Sequence, residues 1–176
     1  MAVFTGQAVS LEHILALREA RATTMQVLLD KHSGATVVCL KLNIPGALKR
    51  SQVLDQVFHT GVTAWEALAE AQGMSLTRAG VAYEPAGTTY YGVVAPTIPS
   101  LAVKQALITL ENSHPLGRLF DFDTTPALSR TVLGYPSRGC LLCDQPAVLC
   151  TRAQTHSMAE LQAWIITLIS AHLPIH

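Results

Sequence analysis

The period of the apolar positions changes several times along the chain, and each change predicts an element. Ser10, followed by Glu12, opens a helical stretch to about residue 31. The serine oxygen caps free amides there, and the acid suits the positive end of a helix. The apolar stripe of this helix reads Leu11, Ile14, Leu15, Leu17, Val27, Leu28 and Leu29. Residues 36–42 are almost continuously β-prone or apolar and predict a buried strand. It stops at Asn43-Ile44-Pro45-Gly46, where proline and glycine break regular structure. Residues 51–71 return to the helical period, with Val57, Phe58, Val62 and Trp65 among the core positions. Two strands, 77–84 and 88–95, join as a hairpin through Pro85-Ala86-Gly87. Ser100 then caps a helix to residue 113, with Leu101, Val103, Ala106, Leu107 and Leu110 on its apolar side and Lys104 facing water. Pro115 and Gly117 end it.

The run Leu119-Phe120-Asp121-Phe122-Asp123 alternates apolar with acidic. On a strand, successive side chains point to opposite faces, so the two aspartates share one face and the two phenylalanines the other. Neighbouring carboxylates repel unless a cation lies between them or one is protonated. A magnesium ion is one remedy, and magnesium held this way usually also grips substrate phosphates. Spacing alone favours the plainer reading of a solvated edge, because such pairs are frequent in loops. Residues 126–133 predict one more strand, carrying Ser129 and Arg130. Ser157-Met158-Ala159-Glu160 is a capping box that starts a helix to about residue 172. Leu161, Trp164, Ile165, Leu168 and Ile169 form its buried face, and His172 and His176 lie at its frayed end.

The predicted fold is therefore α+β (or α/β): one compact domain, 1–176, with a mixed sheet flanked by helices. An acidic pair on a strand is similar to a nucleotidyltransferase arrangement, although the Gly-Ser element that such folds place before the acids is not evident.

Composition narrows the function. Hydrophobic residues make up 49% and charged residues 14%, which excludes a disordered chain. Twelve basic residues balance twelve acidic ones, so no cationic surface of the kind that binds nucleic acid generally is expected. No secretory pattern or membrane-length apolar run stands out, and the expected location is cytoplasmic. Cysteines in that setting are thiols or metal ligands more often than disulfides. Cys39 lies in an apolar run and reads as a buried thiol. Cys140 and Cys143 have the spacing of a metal clip, with Cys150 and His156 as third and fourth ligands of a structural zinc. A disulfide and a set of reduced thiols remain open as alternatives.

The block Gly117-Arg118-Leu119-Phe120-Asp121-Phe122-Asp123, then Ser129-Arg130, Leu133-Gly134, Arg138, Cys140-Leu141-Leu142-Cys143, Cys150, Arg152 and His156-Ser157, resembles the holo-citrate lyase synthase family, the apo-citrate lyase phosphoribosyl-dephospho-CoA transferases. Arg18-Glu19-Ala20-Arg21 and Leu42-Asn43-Ile44-Pro45-Gly46 resemble it as well, so the likeness covers nearly the whole chain. Thr124 stands where the family pattern has an aliphatic residue, often valine. The resemblance implies transfer of a triphosphoribosyl-dephospho-CoA precursor onto a serine of the acyl carrier (gamma) subunit of citrate lyase, with loss of pyrophosphate. It implies Asp121 and Asp123 as catalytic groups and ligands of Mg²⁺. It makes Arg118 and Arg130 phosphate ligands, with Arg138, Arg152, Arg18 and Arg21 as further candidates, since arginine forks match phosphate oxygens. Two other readings stay open: a related transferase serving another carrier, such as that of malonate decarboxylase, and a zinc-stabilised interaction module without catalysis.

Overall fold

The computed structural model describes residues 2–173, and the chain divides after Leu128 into two units. The first holds helix α1 (Leu11–Lys31), strand β1 (Thr36–Leu42), helix α2 (Gln52–Ala71), strands β2 (Leu76–Glu84) and β3 (Gly87–Val94), helix α3 (Ser100–Ser113) and strand β4 (Phe120–Thr125). The sheet order is β2-β3-β1-β4, and every neighbouring pair is antiparallel. The α+β class holds, but the expected mixed sheet does not. The cause is the hairpin: its returning strand β3, rather than β2, lies beside β1.

One face of the sheet is the main core. Val38, Leu40, Tyr90, Phe120 and Phe122 are buried there. Helix α2 approaches closely because Gly61 has no side chain, and a methyl group there would lie 2.9 Å from the Phe120 ring. Trp65, one turn on, meets Phe122 at a ring separation of 6.3 Å. On the opposite face, Val37, Cys39 and Tyr91 pack against Met25, with Leu28 and Leu29 around them. The stripe expected for α1 is therefore corrected: Leu11, Leu15 and Val27 are 69%, 47% and 44% exposed. Only the narrow face around Met25 touches the sheet, and the outward apolar residues have no partner there.

Helix α3 departs from expectation in three ways. Pro99 is the residue before its first turn, and no side chain caps it. Ser100 Oγ instead accepts a hydrogen bond from Thr36 Oγ1 (2.8 Å), which ties the helix start to β1. Leu101 is exposed, whereas Lys104 is buried. The Lys104 ammonium donates to the Phe122 carbonyl (2.7 Å), and the Phe122 N–H donates to buried Glu111 (2.9 Å). Strand β4 lies at the sheet edge, and these two charged groups of α3 satisfy the edge-facing peptide of Phe122. Between α3 and β4, a Cβ on Gly117 would lie 2.4 Å from the Glu111 carbonyl, so only glycine fits this approach.

The second unit contains helices α4 (Ala147–Ala153) and α5 (Met158–His172). The strand expected over residues 126–133 is absent. Thr131–Leu133 is a single 3-10 turn that ends on Gly134 at φ +77°. Pro126 has no N–H for a ladder, and the Ser129 hydroxyl takes the Val132 N–H locally. Helix α4 went unpredicted because only seven residues of it lie between Pro146 and Gln154. The capping box at Ser157 and Glu160 forms as expected, and Ile165 and Ile169 are buried. His176 lies outside the described residues. Among those residues, no helix is long and apolar enough to cross a membrane.

Candidate functional site

The register of β1 against β4 builds the site. Lys41 stands directly opposite Asp121, and Cys39 opposite Asp123. All four residues lie on the α1 side of the sheet, because Phe120 and Phe122 take the core side. The Lys41 ammonium bridges the carboxylates, 2.7 Å from Asp121 Oδ2 and in short contact with Asp123 Oδ2. Burial alone would lower the Lys41 pKa. Attraction from Asp121 and Asp123, with a hydrogen bond to each, outweighs that and holds it above the ordinary lysine value. Beside it, burial pushes the Cys39 thiol up to about 12, which makes it an inert packing group.

Lys41 and Asp121 face a cleft of about 190 Å³ that is also lined by Arg21, Asn43, Lys49 and Asp55. The Lys49 ammonium donates to the Ile44 carbonyl, and burial lowers its pKa. Asp55 is already engaged: Arg50 Nε reaches its Oδ2 at 3.0 Å and Thr88 Oγ1 its Oδ1 at 2.8 Å. The remaining cationic groups of the cleft, Arg21 and Lys49, suit an anionic ligand. The carboxylate pair suits a hard divalent cation, because two Oδ2 atoms already converge on one positive nitrogen.

In the second unit, one ligand atom each from Cys140, Cys143, Cys150 and His156 all lie within 4.8 Å of one another. Cys143 Sγ is 3.5 Å from Cys150 Sγ and 3.3 Å from His156 Nε2. All four cysteines of the chain are free thiols, so the disulfide alternative is not realised. The loop is closed by the Cys140 N–H donating to the Gln145 carbonyl (2.7 Å), and α4 then brings in Cys150. Three thiols and an imidazole are a donor set that can hold a metal ion such as zinc.

A family model described as apo-citrate lyase phosphoribosyl-dephospho-CoA transferase matches residues 9–172. The chain belongs to this family. Proteins of that name from Escherichia coli O8 and Shigella boydii serotype 18 are each 38% identical to it over 158 residues, 88% of this chain and 85% of theirs. Membership makes the chain a transferase. Three separated sequence blocks meet in the first unit: Arg21 from the first, Asn43 and Ile44 from the second and Asp121 from the third all line one cleft.

The other residues anticipated for a member of this family lie on several elements of the two units. Arg18 is exposed on α1 and does not line the cleft, whereas Arg21 does. Arg118 sits in the 3-10 turn Gly117–Leu119 that leads into β4. Arg130, Arg138 and Arg152 belong to the second unit. Glu84 is exposed at the end of β2 and does not line the cleft. On α2, His59 Nε2 lies 3.2 Å from the Tyr83 hydroxyl. Sequence reasoning missed Lys41. The available signal was its place in a strand of alternating faces, two residues from Cys39 and immediately before the Leu42-Asn43-Ile44-Pro45-Gly46 block.

Proposed function

We propose that this chain attaches a phosphoribosyl-dephospho-CoA group to a serine of the acyl carrier (gamma) subunit of apo-citrate lyase. The donor is the triphosphoribosyl-dephospho-CoA precursor, and pyrophosphate is released. The observation that carries this reading is the convergence of two carboxylate oxygens on one cation at the side of a cleft with further cationic groups. The family's description names the phosphoribosyl-dephospho-CoA group and apo-citrate lyase, and supports this reading to that extent.

Asp121 and Asp123 would hold Mg²⁺, which when bound neutralises charge on the triphosphate and aligns its oxygens. Arg21 and Lys49 offer donors to phosphate oxygens from the cleft wall. One carboxylate oxygen of the pair accepts the serine proton. The serine oxygen bonds to the phosphorus next to the ribose, and the bond from that phosphorus to the pyrophosphate oxygen breaks. Arg118, Arg130, Arg138, Arg152 and Arg18 are kept as phosphate ligands on the family likeness and the fork geometry of the guanidinium. Zinc is the ion proposed for the cysteine set, in a structural role.

The test is the intact mass of the apo carrier after incubation with this chain, Mg²⁺ and the precursor. A gain equal to the precursor minus pyrophosphate is expected, and it disappears when the acceptor serine is alanine. Asp121→Asn and Asp123→Asn should each slow transfer about 100-fold or more, with the native circular dichroism spectrum retained. Full activity in both variants refutes the assignment of the acids.

A further inference from the structure

We propose that Lys41 makes metal binding and triphosphate binding depend on one another: its ammonium occupies the carboxylates of the empty enzyme and moves onto a phosphate as the metal enters. This inference deepens the reading above and rests on it. The Oδ2 atoms that a divalent ion needs are the ones that Lys41 already holds, and two cations cannot share that point. With the ammonium in place the trio carries one net negative charge; without it, the carboxylates carry two. Free enzyme therefore attracts a divalent ion weakly.

The side chain has one other direction available. Val37 and Cys39, which precede Lys41 on the same face, are buried and apolar. The ammonium thus has the carboxylates on one side and the cleft on the other, where it joins Arg21 and Lys49. Lysine suits such a move, being a compact charge on a flexible four-carbon stem with three rotatable donors. A polyphosphate in the cleft offers it a new anion, which frees the carboxylates. In that position Lys41 touches substrate and steadies the charge that gathers on the departing pyrophosphate.

The experiment measures Mn²⁺ binding to the full, substrate-free chain by the electron paramagnetic resonance of the unbound ion. Wild type, Lys41→Met, Lys41→Arg and the double variant Lys41→Met/Asp121→Asn are compared. Lys41→Met should bind Mn²⁺ about tenfold tighter than wild type, a difference within the range of one part-buried charge contact. The double variant should lose that gain, and Lys41→Arg, which keeps a cation on the acids, should stay close to wild type. Lys41→Met should also transfer slowly at saturating Mg²⁺, because better metal binding does not replace the lost phosphate contact. Lys41→Gln serves the same comparison if the methionine variant does not fold. Equal Mn²⁺ affinity in wild type and Lys41→Met, lost on Asp121→Asn, overturns the role of Lys41 and leaves the metal site standing. No Mn²⁺ bound by the carboxylates in any variant, with transfer still running, removes the metal site and this inference together.

Discussion

Thr124 lies on the core face of β4, in alternation with Phe120 and Phe122, and opposite fully buried Val38. It is 5% exposed, and its hydroxyl has no hydrogen-bond partner. A buried hydroxyl without a partner costs about 1–3 kcal/mol of desolvation. Valine replaces that oxygen with a methyl group of similar size, keeps the branched β-carbon that strands favour, and adds apolar surface to the core. Thr124→Val should therefore stabilise the protein by about 1–2 kcal/mol. For a chain of this length, each kcal/mol raises the melting temperature by about 2–4 °C. Thermal melts and urea titrations followed by circular dichroism read both quantities. Thr124→Ser is the control: it keeps the hydroxyl, loses a methyl group, and should fall below wild type. Transfer activity should be unchanged in the valine variant, because the threonine points away from the acids. A valine variant that melts at or below the wild-type temperature refutes the reasoning.

Three further outcomes follow from the same geometry. Glu111→Leu leaves the edge-facing Phe122 N–H without an acceptor and should cost about 2 kcal/mol in urea unfolding, whereas Glu111→Gln keeps an acceptor and should cost about 1; equal costs would count against the Phe122 contact. Freshly purified protein should contain one zinc per chain, and a chelator should release it and expose three thiols to a disulfide reagent, while Cys39 reacts only on unfolding; metal-free protein of full stability would end the zinc assignment. For Lys41, whose pKa is raised in the folded state, the stabilising contribution is complete below the unfolded lysine value and fades as pH rises through the folded one. The stability gap between wild type and Lys41→Met should thus stay constant from about pH 7 to pH 9 and narrow above about pH 10.5. A gap that closes near neutral pH would mean that Lys41 is not the charged partner of the acids.

Local signals located most elements well. Serine caps, the Pro and Gly stops and the change of apolar period place α1, β1, α2 and α5 within a residue or two, because those signals act within one turn of the chain. The alternation around Asp121 likewise assigned both acids to one face and both phenylalanines to the core. What failed depended on partners distant in sequence. Lys41 matters because Asp121 lies across from it, 80 residues on, and nothing near Lys41 encodes that register. Lys104 read as facing water, yet it is buried together with Glu111, because an edge strand offers them a peptide group to satisfy. Leu11 and Leu15 read as core for the opposite reason: the periodicity was genuine, but no surface of the sheet extends to meet them. Spacing alone grouped the three cysteines with His156, and the fold does bring their ligand atoms together, while helix α4, which delivers Cys150, was too short to leave a pattern.

The phenylalanines, rather than the aspartates, decide where the aspartates are. Were β4 to slide one residue along β1, every side chain would change face, and both acids would enter the packing against Trp65 and Gly61. Apolar contacts forbid that slide whether or not the acids are charged. The carboxylates can therefore be altered without losing their positions, and the cleft becomes a place where chemistry can be rewritten one residue at a time. A protein built this way can try new ligands or new metals at its working surface while the cost of folding stays with residues that never touch them.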